Sequence, residues 1–257
     1  MHRLPELNPR GEWFTYQHPF RHIRAEGVFR EESYRRLENS FMALRDGTPA
    51  NGNRQLQFRK SQPAYDALLV AMQSQLSSRF APLFDRRWID FLASLLGVPA
   101  LPQVDGALHH IPRHSRSGWI HNDFCSAWFD AQLTGDVVFP DRNKCEYFSG
   151  TPRTPDAQPR EYVRAATTIF YLHNDGWRRG AGGETGLYSA MHDVPGKSST
   201  VPPLNNSLLL FECSPHSYHR LIENPGSPRN SIILWLHCSV EDAQSRWGRA
   251  VTRRMPK

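Results

Sequence analysis

Two hydrophobic periods divide the chain. Residues 31–45 place Tyr34, Leu37, Phe41 and Leu44 at helical spacing, with Arg35, Arg36 and Glu38 on the opposite face, and predict an amphipathic helix. From Pro63 to Leu96 the apolar positions Tyr65, Leu68, Leu69, Met72, Leu76, Phe80, Trp88, Ile89, Phe91, Leu92 and Leu95 keep a helical period, interrupted by Pro82, where two helices are expected to meet. Pro99, Pro102 and Gly106 close this part. Beyond Gly106 the apolar residues fall in short blocks, 107–111, 163–172, 184–190, 207–213, 217–222 and 230–238, rich in Ile, Leu, Phe, Tyr and Thr and bounded by Gly, Pro, Asn and Asp. Such blocks read as strands of a sandwich or barrel. The expected organisation is one domain over 1–257: a mostly helical part at 1–105, a β core at 106–238 and a basic tail at 239–257. The polar segment from Asp130 to Glu161 carries four prolines and is expected to be a lid or binding loop, or else a bland surface insertion.

Composition narrows the class. With 257 residues, 39% hydrophobic, and 7 Trp, 8 Tyr and 14 Phe, the chain has ample core material and is too apolar for disorder. Its longest apolar runs, Ser207–Phe211 and Ile232–Leu236, are strand-sized, so no membrane span is expected. The opening MHRLPELNPR has no apolar signal region, and the expected location is the cytoplasm. The formal charge is +6, but Arg246, Arg249, Arg253, Arg254 and Lys257, against Glu241 and Asp242, supply half of it near the C-terminus. No nucleic-acid partner is therefore expected. Cys125, Cys145, Cys213 and Cys238 form no CxxC pair and are expected to be reduced thiols.

The 12 histidines carry the candidate chemistry. A metal that keeps positions open for substrate and dioxygen is held by two His and one carboxylate on one face, and the search for that set starts at His-x-Asp. The tripeptide occurs twice. His173-Asn174-Asp175 follows the apolar run Thr168–Leu172 and leads into Gly176, so it reads as a strand end and turn. His121-Asn122-Asp123 lies between Trp119-Ile120 and Phe124-Cys125 without Gly or Pro, which suits a strand end with His121 and Asp123 on one face. Later, His216 and His219 offer a second imidazole. Arg229 and Ser231, two residues apart, form a pair suited to capturing a carboxylate.

In this order and spacing, His121-x-Asp123, His219 and Arg229-x-Ser231 resemble the signature of the iron(II)/2-oxoglutarate-dependent oxygenases, with the ten-residue step from His219 to Arg229 characteristic of them. The resemblance is closest to the prolyl 4-hydroxylase-like branch. It extends to Thr168–Asn174, Trp177, Gly182-Gly183-Glu184-Thr185 and Asn206–Phe211, and covers roughly 105 to 238. It implies a mainly β fold with N-terminal helices: a double-stranded β-helix, or jelly-roll, barrel supported by a helical layer. It also implies iron(II) held by His121, Asp123 and His219, and 2-oxoglutarate held by Arg229 and Ser231 with support from Tyr171. The implied activity is a dioxygenase that consumes O2 and 2-oxoglutarate, releases succinate and CO2, and hydroxylates an unactivated C–H bond. Asp123 is the carboxylate that halogenases of the superfamily lack. His110, Arg113, Trp119, Phe124 and Arg164 are the candidate substrate contacts, with Trp128, Arg142, Lys144 and Tyr147 nearby. The expected partner is a small molecule, amino-acid-like or a natural-product intermediate; a prolyl or other residue of a peptide or protein is the alternative.

Overall fold

The computed structural model describes residues 4–47, 57–62, 65–192 and 196–248. Its strands are β1 (Glu12–Tyr16), β2 (His22–Glu26), β3 (Arg59–Gln62), β4 (Tyr65–Ala71), β5 (Val104–Ile111), β6 (Ser126–Asp130), β7 (Pro159–Tyr171), β8 (Thr185–Tyr188), β9 (Ser198–Val201), β10 (Ser207–Glu212), β11 (Tyr218–Leu221) and β12 (Arg229–Cys238). The helices are α1 (Glu31–Asp46), α2 (Ser74–Ser77), α3 (Ala81–Phe84), α4 (Arg86–Leu96) and α5 (Val240–Trp247). The large antiparallel sheet runs β1-β2-β10-β7-β12-β5-β4-β3, with β6 pairing along the first half of β7. The small sheet runs β11-β8-β9. This is the expected double-stranded β-helix with helices on one side.

Strand alternation assigns the faces. In the pairing of β7 with β12, Tyr171 lies opposite Ser231, Ile169 opposite Ile233 and Thr167 opposite Trp235. These odd-numbered side chains look toward the small sheet. Ile169, Tyr171, Leu209 and Phe211 pack there against Leu187 of β8 and Val201 of β9. The even-numbered Phe170, Leu208, Leu210, Ile232 and Leu234 look the other way and join the main core with Leu37 and Phe41 of α1 and Trp88, Ile89 and Leu92 of α4. Because β5, β7, β10 and β12 are covered on both faces, their sequences read as continuous apolar runs rather than alternation. α4 is closed by sequence chemistry: Asp85 caps its N-terminus by accepting from Arg87 N at 2.8 Å, and Gly97 ends it in the left-handed region at φ +68°.

The N-terminal part departs from the expected helical layer. Its described residues include four strands, and Tyr65–Ala71, expected to be helical, is β4, paired with β5 through Leu68 with His110 and Leu69 with His109. The apolar spacing from Tyr65 to Met72 fits either period, and the open edge of β5 decides for strand. β1 and β2 similarly extend the sheet beyond β10. The expected pair of helices meeting at Pro82 is one full helix, α4, preceded by single-turn pieces with Pro82 inside α3. The expected C-terminal tail starts as α5, where Ser239 Oγ accepts from Asp242 N at 3.0 Å and Arg246 pairs with Glu212 at 2.8 Å. Residues 249–257, with the remaining basic side chains, lie outside the described residues. All four cysteines are free thiols and buried. Among the described residues no helix is long and apolar enough to cross a membrane.

Candidate active site

The two sheets enclose a cavity of about 410 Å³, open at one end. At its centre an isolated antiparallel bridge ties the chain before β6 to β11: His121 N donates to His219 O at 3.1 Å and His219 N to His121 O at 2.7 Å. This pairing brings the imidazoles together, with ring centroids 4.4 Å apart. Asp123 Oδ1 lies 3.9 Å from His121 Nε2, and its Oδ2 lies 3.5 Å from His219 Nε2. One ligand atom from each residue lies within 4.8 Å of the others, an arrangement that could hold a metal ion. His121 Nδ1 donates to Trp119 O at 3.0 Å and His219 Nδ1 points to Ser217 O at 3.4 Å, which leaves each Nε2 lone pair for a ligand. His216, the other candidate imidazole, is outside this set.

Asp123 is held by side chains of two strands, β7 and β12. Its Oδ2 accepts from Thr167 Oγ1 of β7 at 2.8 Å and from Trp235 Nε1 of β12 at 2.7 Å, and Arg164 Nη1 lies 3.5 Å from Oδ1. Burial opposes its charge, but His219, Arg164, His121 and the Trp235 indole outweigh that and hold the carboxyl far below the ordinary carboxylate range. Burial, followed by the neighbouring His121, depresses His219 to about 4, so the imidazole is neutral and able to ligate. Arg164 is fully buried, with its guanidinium carbon 3.9 Å from the Trp235 ring centroid and Nη2 4.0 Å from Asp105. Arg142 reaches the same Asp105 at 2.8 Å.

The other end of the cavity is built by β12, β8 and β5. Arg229 Nη2 donates to Thr185 Oγ1 at 3.0 Å, and the Tyr171 hydroxyl meets the same Thr185 oxygen at 2.7 Å. Tyr171 thus reaches Arg229 through Thr185, with the Arg229 guanidinium 5.1 Å from its ring centroid. Ser231 is fully buried, and among the described residues its Oγ has no hydrogen-bond partner; nor has Arg229 Nε.

The five candidate substrate contacts divide. Trp119 stands at the mouth, 40% exposed, its ring centroid 5.6 Å from that of Tyr65, and Arg164 lines the wall. The other three do not line the cavity. His110 is one residue off the inward register of β5 and points to the helix side, where Nδ1 meets Asn230 Oδ1 at 2.7 Å. Phe124 turns into the main core, and Arg113 is on the surface, donating to Pro225 O at 3.2 Å. Because β5 is buried on both faces, its sequence does not reveal which of His109 and His110 faces inward. The inward one is His109. Tyr65, Asp105, Thr167, Arg220 and Trp235 also line the cavity without having been read as site residues from the sequence, as does Thr185, the last residue of the Gly182–Thr185 stretch in the resemblance. For Trp235 and Thr167 the available signal is register: both are inward positions on strands flanking the carboxylate.

The Asp130–Glu161 segment forms a built wall. Val138 exchanges backbone hydrogen bonds with Pro102 and Val104, Tyr147 O accepts from Trp128 N, and Glu146 caps its own turn by accepting from Phe148 N and Ser149 N. Arg142 and Phe148 from this wall line the cavity. Tyr147 instead is buried, its hydroxyl 2.9 Å from His237 Nε2 and accepting from Arg164 Nε at 3.2 Å. Lys144 pairs with Asp156 on the outside. The second His-x-Asp lies away from the cavity at the end of β7, with His173 Nδ1 3.4 Å from Glu38 Oε1 of α1.

This fold and site define a class. Residues 113–237 match the family model described as the 2OG-Fe(II) oxygenase superfamily. The match and the fold support a 2-oxoglutarate-dependent dioxygenase, a class whose chemistry uses Fe(II), 2-oxoglutarate and O2. Among solved structures its fold is similar to a Pseudomonas putida prolyl-4-hydroxylase (12% identity, TM-score 0.52, covering 88% of this chain and 92% of that one). It is similar also to a Trichoplax adhaerens prolyl hydroxylase in complex with a hypoxia inducible factor peptide fragment (13%, 0.53, 87% and 86%). A third is HygX from Streptomyces hygroscopicus, with nickel and 2-oxoglutarate bound (13%, 0.51, 85% and 83%). Among curated proteins, no sequence matches the chain.

Proposed function

We propose that His121, Asp123 and His219 hold iron(II), that Arg229 and Ser231 bind the distal carboxylate of 2-oxoglutarate, and that the enzyme hydroxylates an unactivated C–H bond of a small molecule. The observation that carries this reading is one cavity lined by a His-Asp-His set and by a partly unpartnered Arg229, with the buried, unpartnered Ser231 two residues along the same strand. Buried polar atoms without partners are rare in folded proteins, and a carboxylate is the ligand that a guanidinium and a hydroxyl together satisfy. HygX, solved with nickel and 2-oxoglutarate, offers a precedent for both ligands on this fold.

The bound iron supplies the oxidative chemistry in which 2-oxoglutarate and O2 yield succinate, CO2 and a hydroxylated product. The protein positions and excludes. Thr167 and Trp235 fix Asp123, while the Trp119 and Ser217 carbonyls orient the two imidazoles. Thr185 fixes Arg229 and is itself fixed by Tyr171. Arg142 and Phe148 close one side of the cavity, which favours a compound small enough to enter over an extended peptide. Arg142 and Arg164 share Asp105, and Arg220 adds a further cation, so an acidic or amino-acid-like substrate is favoured. The likeness to a peptide-bound prolyl hydroxylase keeps a peptidyl target as the second reading.

Anaerobic addition of iron(II) and 2-oxoglutarate should produce a weak visible charge-transfer band that Asp123→Ala abolishes. Metabolite profiling should then find an acidic small molecule that couples succinate release to gain of one oxygen. The absence of the band in intact protein would refute the metal and co-substrate assignments. Stimulation by peptides alone would move the target to the second reading.

A further inference from the structure

The inward side of β5 carries Asp105, Ala107 and His109 into the cavity. His109 is buried, and neither of its ring nitrogens has a hydrogen-bond partner among the described residues. In the register of β5 with β12 it stands directly opposite Ser231, and Ser231 stands opposite Tyr171 on β7, so the three form one row across adjacent strands. Directly paired side chains on one face approach to roughly 5 Å between Cβ atoms. Arg229, two residues along the same face of β12, exerts a direct electrostatic influence on His109. Ten buried side-chain atoms lack a partner among the described residues, and four of them lie in this corner: both nitrogens of His109, Ser231 Oγ and Arg229 Nε. That concentration marks a place built for a ligand rather than scattered packing defects.

We infer that His109 is a third anchor for the co-substrate, donating a ring N–H to the distal carboxylate beside Ser231 and Arg229. The inference rests on the co-substrate reading above. Burial, with Arg229 adding to it, holds His109 neutral down to about 3, so it contributes one donor and one acceptor rather than a second positive charge. A planar guanidinium, a hydroxyl and an imidazole N–H converging from two strands also set where the carboxylate stops. His109 thereby positions the co-substrate along the cavity, and with it the end that faces His121, Asp123 and His219.

The experiment uses the full chain with manganese(II), without O2 and without primary substrate, and measures 2-oxoglutarate affinity by calorimetry beside manganese(II) affinity. His109→Leu, close in volume, should weaken 2-oxoglutarate about tenfold or more, the loss of a hydrogen bond to a charged group, and leave manganese(II) affinity unchanged. His109→Gln, which restores a donor, should recover most of that loss. His109→Leu binding 2-oxoglutarate within about twofold of wild type overturns the inference, as does parallel loss of manganese(II), which signals general damage, or a Gln variant as weak as the Leu variant. Wild-type protein that binds manganese(II) but no 2-oxoglutarate removes the co-substrate reading itself. Equal binding by wild type and His109→Leu removes only the role of His109.

Discussion

Arg164 links the metal-side carboxylate to the wall of the cavity, and its removal is predicted to be costly in a particular way. The side chain is fully buried, with Nη1 3.5 Å from Asp123, Nη2 4.0 Å from Asp105 and Nε donating to the Tyr147 hydroxyl at 3.2 Å. Arg164→Met keeps much of the volume and the apolar contact with Trp235 but removes the charge that the two carboxylates share. Breaking a buried pair by deleting one partner costs about 3–5 kcal/mol. Here Asp105 retains Arg142 and Asp123 retains Thr167 and Trp235, so the lower end, about 3 kcal/mol, is expected. That corresponds to roughly a hundredfold change in the ratio of folded to unfolded protein, or a melting point lower by about 6–12 °C. Urea unfolding of the metal-free protein measures it. The same titration with saturating manganese(II) should show a smaller loss, because the metal supplies positive charge to Asp123. Metal-free Arg164→Met within about 0.5 kcal/mol of wild type, or a loss unaffected by metal, refutes the reasoning.

Thr167→Val removes one of the two hydrogen bonds on Asp123 Oδ2 and should weaken metal binding roughly tenfold, read by competition with a chelator; unchanged affinity would show that the Trp235 indole alone orients the carboxylate. His22 and His237 are depressed to about 4 and about 3, in both cases first by burial. Each donates Nδ1–H to a carbonyl, Phe20 O at 2.9 Å and Gln103 O at 3.0 Å, while Nε2 accepts from Arg24 Nε and the Tyr147 hydroxyl respectively. Their unfolded pKa near 6.5 exceeds the folded one, so the unfolded chain binds protons first: the stability they contribute is complete above about pH 6.5 and is lost as pH falls toward 4 and then 3. His237→Gln should flatten the fall in unfolding free energy between pH 6.5 and 4, and an unaltered slope would exclude His237 as a contributor. Gly150 adopts φ +69° with the Trp128 ring where a Cβ would stand, so Gly150→Ala should destabilise the wall by about 1–3 kcal/mol and raise the apparent KM through displaced Phe148. Thermal unfolding and steady-state kinetics measure the two effects; a wild-type melting point would show that the wall absorbs the methyl group.

The chain by itself marked β5, β7, β8, β10, β11 and β12 as apolar blocks, the helix at 31–45, and an ordered set of candidate side chains, His121, Asp123, His219, Arg229 and Ser231; the short strands β6 and β9 fell outside those blocks. These are local signals: strand-sized apolar blocks between turn formers, and polar side chains whose chemistry is specified by type and spacing. The sequence set the two His-x-Asp copies apart by context, because Gly176 after Asp175 makes a turn where Asp123 has none; in the structure one copy lines the cavity with His219, and the other sits beside Glu38 of α1. Only the tertiary structure decided the rest. Tyr65–Ala71 became a strand because β5 offered it an open edge, although its apolar spacing fits a helix as well. His109 rather than His110 reached the cavity because β5 is buried on both sides, which erases the alternation that would have shown its orientation. Trp235 of β12 met Arg164 and Thr167 of β7 at Asp123, through a register that only the paired strands define. Burial then changed what those residues are: a carboxyl held charged among cations, imidazoles held neutral, and a hydroxyl and an imidazole left without partners opposite each other on β12 and β5. Residue type and spacing therefore name the chemistry, while long-range pairing and desolvation decide which of the candidate side chains can perform it.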